Sequence, residues 1–226
     1  LDARYEKVRR DGAVRSAAVL IATAVNPEGR RQILGVSVSL SEAEVHWRAF
    51  LRSLKERGLC GVAQVTSDDH AGLKAALTAV FPGAAWQRCQ CHLQRNATAF
   101  VPRVEQRATV AAELRAVFNA PNLEEAQRLL DQTVVKYEPQ AAKLAAWMRD
   151  NVPDGFAVFA LPPAHRRLLR TTNSLENLNR QVKRRTHVAC IFPNEASLLR
   201  LVSAVLMEVS DEWEADPKRY LVLDPT

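Results

Sequence analysis

A mixed α/β fold is predicted, with three antiparallel strands, then parallel strands, and an α-helical insertion late in the chain. Three observations predict it. Residues 1–40 hold three strand-like runs separated by turn signals, residues 41–89 alternate helical and strand patterns, and from about 93 to 165 only helical periodicity remains. Strands that alternate with helices need crossover connections, so the later strands pair in parallel. The expected organisation is 1–92 as the first part of the core, 93–165 as the helical insertion, and 166–226 as the rest of the core with a C-terminal helix.

Each element has its own local signal. Leu1 to Val8 alternates and breaks at Arg10-Asp11-Gly12, a hairpin-type turn. Arg15 to Val25 is rich in Ala, Val and Ile and stops at Asn26-Pro27-Glu28-Gly29. From Ile33 to Leu40 the chain sets Ile33, Gly35 and Ser37 against Leu34, Val36, Val38 and Leu40, which completes an antiparallel meander. Ser41-x-x-Glu44 reads as a capping box opening a helix with Val45, Phe50, Leu51 and Leu54 inward and Gly58 at its end. A strand over Gly61–Thr66 follows, then a helix from the Asp69 cap to Phe81, stopped by Pro82-Gly83, and a short strand from Ala85 to Cys89.

In the insertion, Asn122-x-x-Glu125 opens a helix carrying Leu123, Ala126, Leu129 and Leu130, and a second runs from Glu138 to Asp150 with Trp147. Pro153-Asp154-Gly155 and Leu161-Pro162-Pro163 interrupt the helices. The last helix starts near Asn194 with Leu198, Leu201, Val202, Val205 and Val209 on one stripe. Trp147 and Trp213 read as packing residues.

At 226 residues and 47% hydrophobic content the chain can bury a core without disulfide or metal staples. Its four cysteines are too few and too uneven for a disulfide framework and suit a reducing compartment. No run of about 18 apolar residues exists, and Leu-Asp-Ala-Arg-Tyr-Glu does not resemble a signal peptide, so a cytoplasmic protein without membrane contact is expected. From 165 to 185 there are seven Lys or Arg against one acid, an excess of six that equals the net charge of the whole chain, +6. Localised basic charge of this kind points to nucleic acid.

That single acid is Glu176. On a helix, Glu176, Asn179, Arg180 and Lys183 share one face and Leu175, Leu178 and Val182 the other, so one face packs and one meets a polyanion. Arg170, Arg184 and Arg185 extend the basic face. Glu176 has two readings: Asn173-x-x-Glu176 fits a capping box, and a lone carboxylate among cations fits a metal ligand. Asp2 in the first strand, Asp68 after the fourth and Glu176 could gather into an oxygen-rich pocket for two divalent ions, Mg²⁺ or Mn²⁺, the arrangement that hydrolyses phosphodiesters. His70 orders the loop or acts in catalysis. Cys89-Gln90-Cys91-His92 suggests zinc, but a structural site uses four ligands and no second pair is visible; Cys89 and His92 then brace the end of the fifth strand. No Ser or Tyr stands in a nucleophile-like context.

With these residues in view, the chain resembles the catalytic domain of bacterial mutator-type transposases. The resemblance runs through Leu1-Asp2-Ala3-Arg4-Tyr5-Glu6-Lys7-Val8-Arg9, Ser67-Asp68-Asp69-His70-Ala71-Gly72-Leu73, Phe81-Pro82-Gly83-Ala84-Ala85-Trp86-Gln87-Arg88-Cys89-Gln90-Cys91-His92, Arg170-Thr171-Thr172-Asn173-Ser174-Leu175-Glu176, and Arg184-Arg185-Thr186 through Phe192-Pro193-Asn194. It implies a ribonuclease-H-like fold, an Asp-Asp-Glu triad of Asp2, Asp68 and Glu176 holding two ions, a Cys-x-x-His element at Cys89 and His92, and a helical insertion before the glutamate. It implies DNA cleavage at element ends and strand transfer into target DNA, by a homodimer or higher oligomer. Family members carry an N-terminal region that binds the terminal inverted repeats, and this sequence begins one residue before Asp2, so DNA binding with little sequence preference is expected. The competing expectation is a catalytically inactive DNA-binding or dimerisation remnant in which the first strand fails to place Asp2.

Overall fold

A computed structural model describes residues 1–222, so the last four residues of the segment 166–226 lie outside the described residues. The chain divides into two compact units: Leu1–Ala63, Asp69–Ala84 and Thr172–Thr226 form the first, and Gln64–Asp68 with Ala85–Thr171 the second.

In the first unit β1 (Asp2–Arg10), β2 (Ala13–Val25) and β3 (Arg31–Ser39) form the expected antiparallel meander. Asp11 and Gly12 both take positive φ, 50° and 74°, which matches the turn to the strands' twist in a two-residue hairpin. Residues Ala17 to Ala22 of β2 are buried on both faces, so the middle strand reads as a continuous apolar run. The pairing slips between Ala22 and Thr23: Ala22 faces Gly35 and Thr23 faces Ile33, leaving Leu34 as an extra residue. This bulge overturns the simple alternation expected of β3, because it returns Ile33 to the face that carries Val36 and Val38. The Arg57 guanidinium donates to the Leu34 carbonyl at 2.6 Å.

Helix α1 (Glu44–Glu56) packs beside β3 at Gly35, where a Cβ would come within 2.8 Å of the Arg57 guanidinium while making ordinary contact with Leu54 and Phe50. Its buried residues are Trp47, Phe50, Leu51 and Leu54; Val45, expected inward, is exposed, since Trp47 holds the inward position one turn before Leu51. The expected capping box is absent, with Ala43 as N-cap and Ser41 Oγ accepting from Ala43 N at 3.3 Å. The C-terminus follows the sequence: Gly58 at φ +102° lets Leu59 N reach Leu54 O and Gly58 N reach Lys55 O. Helix α2 (Ala71–Val80) starts at His70 rather than Asp69, whose carboxylate meets Lys74 Nζ at 2.5 Å. A Cβ on Gly72 would lie 2.7 Å from Glu42 O, so only glycine lets α2 pack on the start of α1.

Below the opposite face lie α8 (Asn173–Ala189) and α9 (Glu195–Ala215). Their stripes, Leu175, Leu178 and Val182 with Leu198, Val202, Val205, Leu206 and Val209, join Val8, Val19 and Ile21 in one core. Asn194 caps α9 by accepting from Ser197 N at 2.8 Å. Between the helices Cys190 takes φ 57°, ψ −59°, a strained three-residue turn closed by Ile191 N to Ala189 O. Phe192 then pairs in parallel with Val8 at the edge of β1.

The second unit holds β4 (Gln64–Ser67) and β5 (Ala85–Arg88), which are parallel, as expected. Two sheets are therefore present where one mixed sheet was expected. The strand expected over Gly61–Thr66 is shorter than that: Gly61 takes φ +65° and β4 runs only from Gln64 to Ser67. The remaining helices are α3 (Gln90–Ala97), α4 (Arg107–Phe118), α5 (Leu123–Tyr137), α6 (Ala142–Asn151) and α7 (Pro163–Leu169), most of them around a core that includes Leu93, Leu114, Leu130, Leu144 and Met148. Asn122 caps α5 through Glu125 N, as predicted, though Leu123 points outward. The helix expected from Glu138 starts only at Ala142: Glu138, still in helical backbone, closes α5 as its C-cap, and the chain leaves helical geometry at Ala141, the N-cap of α6.

Candidate functional site

The inner edge of the first unit is built by β1 running alongside α8. Alternate residues of β1 point toward α8 because side chains alternate along a strand. Asp2 is secured in the ladder opposite Ile21, and its Oδ2 accepts from Asn179 Nδ2 at 2.6 Å while Oδ1 accepts from Ala3 N at 3.0 Å. Arg4 Nη1 donates to Asn179 O at 2.5 Å and also pairs with Glu6. Glu6 Oε1 in turn accepts from the Thr186 hydroxyl at 2.8 Å. Asn179 therefore holds the start of β1 from its side chain and from its backbone.

Glu176 stands one turn before Asn179, and residues at i and i+3 on a helix have Cβ atoms about 5–6 Å apart. The structure thus brings Glu176 onto the side of α8 that engages Asp2. It also decides against the capping box. Thr172 is the N-cap, Asn173 lies inside the helix, and no side chain makes the cap hydrogen bond. Glu176 N instead bonds Thr172 O at 2.9 Å.

Asp68 follows β4 in the second unit, where Ser67 Oγ donates to its carbonyl at 2.8 Å and accepts from Trp86 Nε1 at 2.9 Å. Cys89 and His92 belong to the same unit. Cys89 is buried as the N-cap of α3, and its N–H donates to Ser67 O at 2.7 Å, joining the ends of the two parallel strands. His70 belongs to the first unit and gives α2 its N-cap without a side-chain cap bond.

The basic residues divide by what they touch. Arg170 lies in the second unit, where its Nη1 donates to Phe118 O at 3.0 Å and Asn119 Oδ1 at 2.7 Å, closing the end of α4. Burial holds its pKa below the usual arginine range. Its guanidinium is engaged inside the protein and not on the basic face. Arg185 lies near Glu208 at 3.6 Å on the surface, while Arg180, Lys183 and Arg184 are exposed along α8. Sequence reasoning missed Arg31 on β3 and Trp213 on α9, which line a groove of about 420 Å³ with Arg180, Arg184 and the polar row Ser174, Asn177 and Gln181. That row was readable as a polar stripe on α8; its opposite wall was not.

A profile described as Transposase, Mutator family, matches residues 1–216. The chain belongs to this family. The chain is 54% identical over 225 residues to the transposase for insertion sequence element IS406 of Burkholderia multivorans, with 100% of this chain aligned to 58% of that protein. It is 44% identical over 224 residues to the ISRM5 transposase of Rhizobium meliloti, 99% of this chain against 56% of that one. Identity to the IS1081 transposase of Mycobacterium tuberculosis is 42% over 223 residues, 99% of this chain against 53%. The chain thus spans a little over half the length of these relatives.

Carboxylates are hard donors of the kind Mg²⁺ or Mn²⁺ takes, so Asp2 and Glu176 suit such an ion by chemistry. Among the described residues no three His, Cys, Asp or Glu side chains are already gathered as a metal site. Asp2 is held by N–H donors instead, which makes Asn179 its positioning residue. If Asp2 holds Mg²⁺ for DNA nicking, Asn179→Ala is expected to raise the Mg²⁺ concentration needed for half-maximal nicking by about 10–100-fold, the usual effect of losing a partner that orients a ligand. An unchanged Mg²⁺ requirement would show that Asn179 does not set the Asp2 carboxylate. No helix among the described residues is long and apolar enough to cross a membrane.

Proposed function

We propose that the chain is the catalytic core of an insertion-sequence DNA transposase with a ribonuclease-H-like fold, cutting phosphodiesters at element ends and joining the freed 3′-hydroxyl to target DNA as an oligomer on DNA. Asp2, Asp68 and Glu176 would hold two Mg²⁺ or Mn²⁺ ions. Ions so held supply activation of the attacking oxygen and charge stabilisation at the leaving 3′-oxygen. The chain's own groups do the rest: Asn179 orients Asp2, and Lys183, beside Glu176, draws the phosphates of the strand to that edge.

The observation that carries this reading is the Asn179–Asp2 hydrogen bond at 2.6 Å, which ties a β1 carboxylate to the helix bearing Glu176 in a chain of transposase family. It also weighs against the inactive-remnant reading, since Asp2 is paired in the sheet and clamped. The test is nicking of supercoiled DNA by this chain in Mg²⁺ or Mn²⁺, with Asp68→Asn beside it. Nicking that disappears with Asp68→Asn supports the reading; nicking that Asp68→Asn retains removes Asp68 from it. A chain that binds DNA and never nicks it returns the remnant reading to first place.

A further inference from the structure

The groove beside α8 carries a concentration of unneutralised charge that the carboxylate edge does not use. Three arginines line it, Arg31, Arg180 and Arg184, and no acidic residue does. Several surface arginines elsewhere are paired: Arg10 with Glu195, Arg48 with Glu44, Arg128 with Glu125 and Arg149 with Glu138. Arg31, Arg180 and Arg184 have no hydrogen-bond acceptor and no carboxylate among the described residues. Like charges brought together in a concave surface repel unless an anion joins them.

Arg31 is also held in place. Its guanidinium carbon lies 4.3 Å from the Trp213 ring centroid and 4.9 Å from that of Tyr220. A guanidinium held against aromatic rings makes no hydrogen bonds to them, so its N–H donors stay available to an anion such as phosphate. A cation fixed this way loses less side-chain entropy on binding than a free one.

Facing the cations are Ser174, Asn177 and Gln181, neutral donors and acceptors along one flank of α8. At 100° per residue, Asn177, Gln181 and Arg184 lie roughly 80–140° round the helix from Glu176, on the side away from Asn179. The groove is therefore distinct from the edge that holds Asp2. Its volume of about 420 Å³ is of the size that small organic ligands occupy.

We infer that this groove seats one nucleotide of a DNA strand, its phosphate on Arg31, Arg180 and Arg184 and its base or sugar against Ser174, Asn177 and Gln181, away from the bond being cut. The inference rests on the DNA reading above and adds Arg31 and Trp213 to the surface that holds DNA. The seat anchors a strand and performs no chemistry. A free nucleotide shares the same recognition chemistry and is the alternative source to be separated.

The experiment measures binding of a labelled DNA duplex by the 226-residue chain across a salt series, for wild type, Arg31→Ala, Arg184→Ala and the control Arg149→Ala. Each of the first two is expected to lower the slope of log K against log salt by about 0.9, with no change for the control. Arg184→Ala guards against misreading Arg31→Ala, whose loss of stacking could disturb the fold. A salt-dependent wild type with unaltered slopes in both variants would overturn this seat and leave the DNA reading intact. A wild type with no salt-dependent DNA binding would overturn both. Thymidine monophosphate that quenches wild-type but not Trp213→Phe emission, with unaltered DNA slopes in the arginine variants, would assign the groove to a free nucleotide and overturn the DNA assignment.

Discussion

Glu176→Gln is expected to abolish Mg²⁺- or Mn²⁺-dependent nicking of DNA while leaving folding and DNA binding unchanged. The geometry of α8 makes the substitution a clean test. A glutamate serving only as the return arm of a capping box tolerates glutamine, which serves equally well there. Here Thr172 begins the helix, Asn173 is already inside it and no side-chain cap bond forms, so no cap depends on the residue's charge. As a ligand for a hard divalent cation the same change removes a full negative charge and keeps the shape. Several kcal/mol of charge stabilisation go with it, and about 4 kcal/mol corresponds to about a thousandfold in rate. The comparison is nicking of supercoiled DNA at matched occupancy, with binding followed separately. A variant that cuts like wild type takes Glu176 out of the reaction, and one that loses DNA binding as well points to a structural role.

The second large effect is on stability. Arg88 closes β5 with only 4% of its surface exposed. Its Nη1 donates to Asn151 Oδ1 at 2.9 Å, Asp154 lies 3.6 Å away, and the guanidinium stands 6.0 Å from the Trp147 ring centroid. Arg88→Ala removes the cation from a polar network between β5 and the end of α6, leaves the amide and the acid to find new partners, and opens a cavity. Losing one partner of a buried charged pair costs about 3–5 kcal/mol; Asp154 is partly exposed and water can reach it, so about 3 kcal/mol is the better figure. At about 2–4 °C per kcal/mol in a domain of this size, the midpoint of thermal unfolding should fall by about 6–12 °C. Arg88→Lys should recover little of this, because a single ammonium cannot present the planar fork to Asn151 and Asp154 together. A shift under about 2 °C for the alanine variant, read by circular dichroism, would mean that the network adds little to the fold.

What could be read from the sequence was what neighbouring residues decide between themselves. The Asp11-Gly12 turn, the Gly58 helix end, the caps of Asn122 and Asn194 and the apolar stripes of α8 and α9 all follow from interactions within four or five positions, and the structure has each of them. The same local rules failed where two local solutions compete. Ser41 and Asn173 carry cap-like spacings, but Ala43 and Thr172 open those helices, because the point at which the chain arrives from the preceding segment sets the first turn. Only the tertiary structure decided the bulge at Leu34, whose carbonyl is satisfied by Arg57 from a different element, and the separation of β4 and β5 into a sheet of their own. The candidate site divides in the same way. Glu176 and its basic neighbours were visible as a charge pattern on one helix, whereas the clamp joining Asn179 to Asp2 spans 177 positions and the Arg31–Trp213 wall of the groove comes from a strand and a helix at opposite ends of the chain. A hydrogen bond or a stacked cation between such distant residues leaves no periodicity or spacing in the sequence, because it is created only when the sheet and the helices bury their apolar faces against one another.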